Sequence, residues 1–444
     1  MIIDDLKSLH ERYHHPTIHL LLLSMLYSLE EVLSAGVRHP LYASLRYPSK
    51  LDLAAIPLLD KVTLYNQLQY AINSDKSILQ SAYLSPTGGT SDGPLLYFIT
   101  DTDENRAQRE EMGRLMNEQS VITKEDIVLV LQGGKYMYRS LDLICELIDN
   151  SHGTALAAGA STSSDILASL AIQFGANAIS GTCTQMINFA QYIEANGLQS
   201  LVKFDKIFYT SEVLPVHQEY YLRTTFGASV ITSVYGSAEG GVWAACGPAK
   251  LGQGAAQGSN FVYDKKMMIV EILKEDGTHA TEGEKGEIVL TSLMRLRNPL
   301  IRYCTGDLGS LHAYRGDPLA NGRSLAVLRL YGRNPVKSVN FQGEYFNPLE
   351  LEQELQKAEW NILDWQAVFE GVMGKRDTVV FRIIFRVVFD NIPQLLHQKM
   401  VELLEVEHHE DVLIEPVTYD QVEKGRTGAK MKRFIDRRHY SGLN

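Results

Sequence analysis

Cysteine is scarce in this chain. Its 444 residues hold four, at positions 145, 183, 246 and 304, too far apart for the paired spacing of a zinc site and too few to staple a scaffold. That excludes a disulfide-dense secreted module and fits a reducing compartment. Long apolar runs are missing as well: Leu20 to Leu26 is far shorter than the roughly 20 residues a membrane-spanning helix needs. The amino terminus, MIIDDLKSLHERYHH, carries acids before any apolar stretch, unlike a secretory leader. A soluble, cytoplasmic protein is expected. Positive charge is in deficit, with a formal net charge of -11 and no basic run before Lys424 to Arg438, so neither nucleic acid nor an anionic membrane is expected as a partner. Internal repeats and low-complexity tracts are absent, which sets aside solenoids and disordered arrays.

What is present is ordinary globular material, 45% hydrophobic and 21% charged, enough for two or three domains. Residues 1 to about 80 read as mainly helical, with Leu20, Leu23, Tyr27 and Leu33 near helical spacing. From Ile127 onward short apolar strands alternate with helical patterns (Leu141 to Ile148, Leu167 to Phe174), a layered α/β arrangement with a partly parallel sheet. KIFYT at 206 to 210 and SVITSVY at 229 to 235 read as two more strands, each ending in small or acidic residues where ligands of open α/β sheets bind. After residue 260 the strands become closely spaced, Met267 to Leu273, Lys285 to Ser292 and Leu325 to Tyr331, which predicts a β-rich subdomain. The last hundred residues predict a small α+β unit: helix from Pro348 to about Ala358, strand Thr378 to Phe389, helix Pro393 to Val406 and strand Val412 to Val417.

Five stretches carry chemistry. SPTGGTSDGP, Ser85 to Pro94, packs glycines and hydroxyls into a loop that suits phosphate oxygens; Gly88 and Gly93 have the Walker spacing, but Pro94 stands where that motif requires Lys, which argues against a P-loop NTPase. The same composition also makes an ordinary turn. YGSAEGG, Tyr235 to Gly241, sets a single carboxylate, Glu239, at a strand end, suited to Mg²⁺ beside phosphates or to a solvated turn. RYCTGDLG, Arg302 to Gly309, places Asp307 on a tight turn, an acceptor for ribose hydroxyls or a plain turn residue. LYGRNP puts Arg333 at a strand end before Asn334-Pro335, a hinge or a turn. GRTGAKMKRFIDRR, Gly425 to Arg438, clusters basic residues beside two glycines; such runs are solvated faces, or carry a lysine that swings to a phosphate as a point charge.

In this order and spacing the five stretches, together with KIFYTSE at 206 to 212 and the pair KGEIVLTSL and NPLIRYCTGDLG, resemble the adenylate-forming enzyme superfamily, most closely its phenylacetate-coenzyme A ligase branch, over about residues 80 to 440. The resemblance implies that family's fold: a large N-terminal α/β domain with a β-rich part (1-332), a hinge (333-335) and a small mobile α+β C-terminal lid (336-444). It implies that Thr87, Gly88, Gly89, Thr90 and Ser91 surround the ATP phosphates, that Tyr235, Gly236 and Ser237 lie along the nucleotide or acyl group, and that Asp307 and Arg333 hold the ribose. Glu239 would bind Mg²⁺. Lys430 would contact the acyl carboxylate and the α-phosphate during adenylation, with the lid rotating between half-reactions.

The implied activity is ATP-dependent activation of a carboxylic acid as acyl-AMP, then transfer to coenzyme A; transfer to an amine or to the thiol of a separate carrier protein, and a catalytically silent nucleotide-binding homologue, are the alternatives. An acyl pocket is expected from Tyr136, Tyr138, Gly181, Thr182, Ser211 and Glu212, the tyrosines favouring a flat or aromatic acid and Glu212 suiting an ammonium group or a structural role. Related ligases are often dimers, which leaves a homodimer open. Two departures stand out. Gly88 replaces a usual serine and Asp92 a usual glycine, and a unit charge 4 Å from another costs about 4 kcal/mol at an effective dielectric near 20, so Asp92 must point away from a triphosphate or be neutralised. Asn334-Pro335 replaces the acidic residues usual at the hinge.

Overall fold

A computed structural model describes residues 26–39, 42, 52–86, 97–134, 137–211, 214–248, 259–316, 322–333, 339–342, 344–371, 376–387, 391–406, 408–425 and 430–438. Among the described residues two amphipathic helices come first, α1 (Leu29–Arg38), started by a capping box between Ser28 and Glu31, and α2 (Lys61–Ser74), whose N-cap Asp60 accepts from the Thr63 amide. The hairpin β1 (Ala82–Pro86) and β2 (Tyr97–Asp101) flanks the glycine-rich loop. Next comes α3 (Thr102–Glu118), N-capped by Asp101 with Asp103 and Glu104 in its first turn, where carboxylates meet the positive end of the helix dipole.

The parallel part of the main sheet follows as β3 (Ile127–Val130), α4 (Ser140–Asn150), β4 (Thr154–Ala157), α5 (Ser164–Phe174), β5 (Ala178–Gly181), α6 (Cys183–Ala195), β6 (Lys206–Tyr209), α7 (Val216–Phe226) and β7 (Val230–Ser237). Strands β4, β3, β5, β6 and β7 pair parallel in that spatial order. The chain then reverses into β8 (Gly241–Cys246) and continues as β9 (Ser259–Asp264), β10 (Met268–Leu273), β11 (Gly286–Ser292), β12 (Tyr303–Ala313) and β13 (Leu325–Arg333), all antiparallel to their neighbours. The β-rich stretch is therefore not a detached layer. It extends the parallel strands into one sheet of eleven, ordered β10-β11-β12-β13-β9-β8-β7-β6-β5-β3-β4.

Beyond a small hairpin, β14 (Val339–Phe341) and β15 (Glu344–Phe346), helix α8 (Pro348–Leu355), strands β16 (Ile362–Glu370) and β17 (Thr378–Phe385), helix α9 (Ile392–Leu404), β18 (Val412–Pro416) and β19 (Phe434–Asp436) form a second sheet ordered β18-β17-β16-β19. The expected α+β unit is thus present, but its central strand β16 was not anticipated from the sequence. It is buried along nearly its whole length. The proposed hinge residues Asn334 and Pro335 lie outside the described residues.

The small sheet has its own core, from Trp365, Phe381 and Leu396, and also shares one with the body. Leu363, Ile384 and Met431 are buried in the same cluster as Met186, Ile187 and Leu222 of α6 and α7. Each side chain of this size withdrawn from water contributes roughly 1.5–3 kcal/mol, so the docked arrangement is strongly favoured. At this seam His217 of α7 lies near Asp364, Arg433 and the Leu363 backbone, and burial pushes its pKa down from 6.5 to about 4. Between those values the unfolded chain carries a proton that the folded one refuses, so stability falls as pH drops from about 6.5 to 4, by at most about 3 kcal/mol. Urea unfolding at pH 7 and pH 4.5 should show this loss reduced by about 2 kcal/mol in His217→Asn; an unchanged difference between the two pH values would contradict it.

Candidate active site

The sheet changes from parallel to antiparallel between β7 and β8, and the YGSAEGG turn lies at that change. Gly236 is required there: a Cβ on it would sit 2.3 Å from the Gly241 carbonyl oxygen and 2.7 Å from the Val242 Cα. The Ser237 hydroxyl accepts from the Gly240 amide at 3.0 Å, which closes the turn. Its underside is held by polar groups from elsewhere. Gln108 of α3 donates to the Gly240 carbonyl at 2.9 Å, and the fully buried Arg295 donates to the Glu239 carbonyl and, at 3.1 Å, to the Gln108 side chain. Burial lowers the Arg295 pKa to about 10.

Tyr235, at the end of β7, packs edge-on against Trp243 with ring centroids 5.2 Å apart. Its hydroxyl donates to Asp307 Oδ2 at 2.6 Å. Asp307 of β12 faces Arg333 of β13 in register, with the guanidinium Nε 3.2 Å from Oδ1. Burial raises the Asp307 pKa despite Tyr235 and Arg333, which favour its charge, and nearby Glu239 raises it further. Three residues 72 and 26 positions apart in sequence thus form one acceptor-centred group, with Arg333 72% exposed at its edge.

Glu239 is only 3% exposed. Tyr65 donates to its Oε1 at 2.9 Å, and the Lys61 ammonium lies 3.5 Å away. Burial alone would raise the Glu239 pKa; Lys61 and the hydrogen bonds to the carboxylate outweigh it and hold the group below the usual range. Lys61 and Tyr65 are four apart on α2 and so share a face. Neither was anticipated, because a Lys and a Tyr in an amphipathic helix resemble any solvated edge; the i,i+4 spacing was the one available signal. An ionised, solitary carboxylate fits Mg²⁺, which takes one or two carboxylates and otherwise phosphate oxygens and water. Among the described residues no group of three or more His, Cys, Asp or Glu forms a self-sufficient metal cage.

Lys430 approaches the other end of this row of strands, where its ammonium donates to the Ser211 carbonyl just beyond β6. Ser211 has φ +75°, a conformation a non-glycine residue rarely adopts. Gly181 ends β5, and Thr182 forms the capping box of α6 with Gln185, so its hydroxyl is engaged in the helix start. Tyr138 is half-buried between β3 and α4. The floor between these strand ends is polar: the Gln132 amide lies 2.9 Å from the Ser180 hydroxyl and 3.2 Å from that of Thr210, tying together the ends of β3, β5 and β6. Arg302, the first residue of the Asp307 motif, makes a bidentate pair with Glu271 at 3.0 and 3.1 Å and supports the fold. Thr87, Gly88, Gly89, Thr90, Ser91, Asp92, Tyr136 and Glu212 lie outside the described residues.

Gly236→Ala should destabilise the protein by about 1–3 kcal/mol, since the added methyl forces β7 and β8 apart. Urea unfolding checks this, and a change under 0.5 kcal/mol, the range of neutral surface substitutions, would contradict the close approach.

No protein-family model and no curated protein matches the chain. Solved structures do match. The chain is similar to 2-hydroxyisobutyryl-CoA ligase in its postadenylation state with 2-HIB-AMP, with TM-score 0.67 and 15% identity over 92% of this chain and 88% of that one. The same ligase in its thioesterification state with 2-HIB-AMP and CoA gives TM-score 0.57 at 16% identity, covering 96% and 91%. The anthranilate CoA ligase AuaEII in complex with anthranoyl-AMP gives 0.51 at 15% identity, over 79% and 65%. The chain has the fold of these CoA ligases.

Proposed function

We propose that the protein activates a small carboxylic acid with ATP, releasing pyrophosphate and forming an acyl-AMP, and passes the acyl group to coenzyme A in the cytoplasm. The observation that carries this reading is the Tyr235–Asp307–Arg333 group beside the ionised Glu239, supported by the Lys430 ammonium on the Ser211 carbonyl just past β6. The body would run to about residue 332 and the lid from about 336, joined through Asn334-Pro335.

A carboxylate is a poor electrophile because its charge is delocalised. One of its oxygens attacks the α-phosphorus, the bond to the bridging oxygen of the β-phosphate breaks, and pyrophosphate leaves. The thiol sulfur of coenzyme A then attacks the acyl carbon, loses its proton, and AMP departs with the oxygen that came from the acid. Asp307 and Arg333 would fix the ribose, so that the α-phosphate meets the acid at the ends of β5 to β7. Lys430 would supply charge to the reacting oxygens, and such aligned groups act by positioning and preorganised electrostatics. Glu239 would hold Mg²⁺, which when bound neutralises phosphate charge. Thr87, Gly88, Gly89, Thr90 and Ser91 would line the phosphates. Tyr136, Tyr138, Gly181, Ser211 and Glu212 would border the acid, with the tyrosines favouring an aromatic one.

Pyrophosphate release from ATP and Mg²⁺, measured across aryl, aliphatic and amino acids with no acceptor, coenzyme A or hydroxylamine, tests the reading. Release that depends on one acid and is stimulated by coenzyme A is expected; stimulation by an amine or a carrier thiol instead would replace the acceptor, and silence across the panel with ATP bound would favour a nucleotide-binding homologue without catalysis. Lys430→Ala should lower adenylation on the order of 10²-fold and spare thiolysis of supplied acyl-AMP, while Glu239→Gln should shift the Mg²⁺ dependence to higher concentration. Equal loss of both half-reactions in Lys430→Ala would remove its assigned role.

A further inference from the structure

Strand β16 carries two polar residues, Asp364 and Gln366, that are fully buried and, two apart, point to the same face. Buried polar groups at alternating positions of a core strand persist where their hydrogen bonds are all met. Asp364 meets this demand from both sides of the seam. Its Oδ1 takes the Arg433 guanidinium and the Trp365 amide at 3.1 Å. Its Oδ2 takes the Tyr419 hydroxyl and the Thr184 hydroxyl, each at 3.2 Å. Arg433, Trp365 and Tyr419 belong to the small sheet's own unit; Thr184 belongs to α6 of the body. Gln218 of α7 adds a second tie, donating to the Leu363 carbonyl at 2.6 Å.

Gln366 works inward. Its amide donates to the carbonyls of Glu423 at 2.9 Å and Lys432 at 2.7 Å and accepts from the Glu423 amide at 3.2 Å. Around it the Ala367 amide donates to the Arg433 carbonyl at 2.8 Å, the Lys432 amide to the Glu423 carbonyl at 3.0 Å, and the Gly425 amide to the Lys430 carbonyl at 2.7 Å. The segment bearing Lys430 is therefore fastened to β16 on both sides, through Glu423 and through Lys432 and Arg433. Asp364 in turn fastens β16 to the body.

We infer that Asp364 and Gln366 are positioning residues for Lys430, and that the bond from Thr184 to Asp364 is the latch that sets the small unit where Lys430 reaches Ser211. This rests on the reading of Lys430 as the adenylation lysine. Thr184→Val removes the body's half of the latch, keeps its volume, and leaves Arg433, Tyr419 and Trp365 on the carboxylate. Acid-dependent pyrophosphate exchange should fall several-fold in kcat with the KM values for ATP and acid unchanged, thiolysis of supplied acyl-AMP should hold or rise, and Thr184→Ser should restore exchange. Unchanged exchange, or equal loss of both half-reactions, would overturn the inference. Amide hydrogen exchange of native protein keeps the two claims apart: if the wild type shows no acid-dependent exchange of pyrophosphate, the functional reading falls, while faster deuterium uptake in 216–226 and 362–371 of Thr184→Val still supports the latch and unchanged uptake there overturns it.

Discussion

One reversal of chain direction organises the rest. At the end of β7 the sheet stops being parallel, and the backbone must turn back as β8 within a few residues, so closely that Gly236 has no room for a side chain against Gly241. The reversal leaves the turn's carboxylate, Glu239, pressed into the protein rather than held in water. A buried charge must be met by opposite charge or by hydrogen bonds. The surroundings supply both: Tyr65 and Lys61 at the carboxylate, Arg295 and Gln108 beneath the backbone. The same reversal adds antiparallel strands to the parallel ones, which carries Asp307 and Arg333 to the side of Tyr235. Strands β13, β9 and β8 stand between β12 and β7, so the antiparallel part must curl back for Asp307 to reach the Tyr235 hydroxyl at 2.6 Å.

A second demand acts at the seam between the two sheets. Apolar side chains from both are buried together, yet a carboxylate, Asp364, lies among them with its oxygens filled from the two sides. Apolar burial is non-directional and tolerates many placements. Hydrogen bonds to a buried charge do not, and losing one partner leaves an expensive uncompensated group. Hydrophobic contact therefore makes the docking strong, and Asp364 makes it specific.

The sequence made the fold class legible because it shows in periodicity: short β-branched strands alternating with amphipathic helices, then strands in close succession. It also marked the turn at Glu239 and the Lys430 segment, since glycine beside a charged residue is a local signal; Asp307, expected on a tight turn, lies instead inside β12, where the pairing with β11 shifts register. What escaped was non-local. Helix α3 is polar enough to lack a clear apolar stripe, and its buried Gln108 and Arg109 find partners in the Gly240 turn and on α4. Strand β16 breaks the expected alternation with Asp364 and Gln366, whose partners lie up to 180 residues away. Lys61 and Tyr65 gave no sign of their destination, because nothing local distinguishes a lysine that meets a buried glutamate from one that meets water.

On the proposed function, an oxygen of the substrate acid becomes bonded to the α-phosphorus of ATP near the carboxyl ends of β5, β6 and β7. Turnover of an acid labelled with ¹⁸O in both carboxyl oxygens, followed by mass spectrometry of the nucleotide product, tests this most directly. The account predicts AMP carrying one ¹⁸O, because thiolysis cleaves the acyl carbon from the oxygen it brought. ADP as the product, with the label in inorganic phosphate, would mean attack at the γ-phosphorus and would contradict the account.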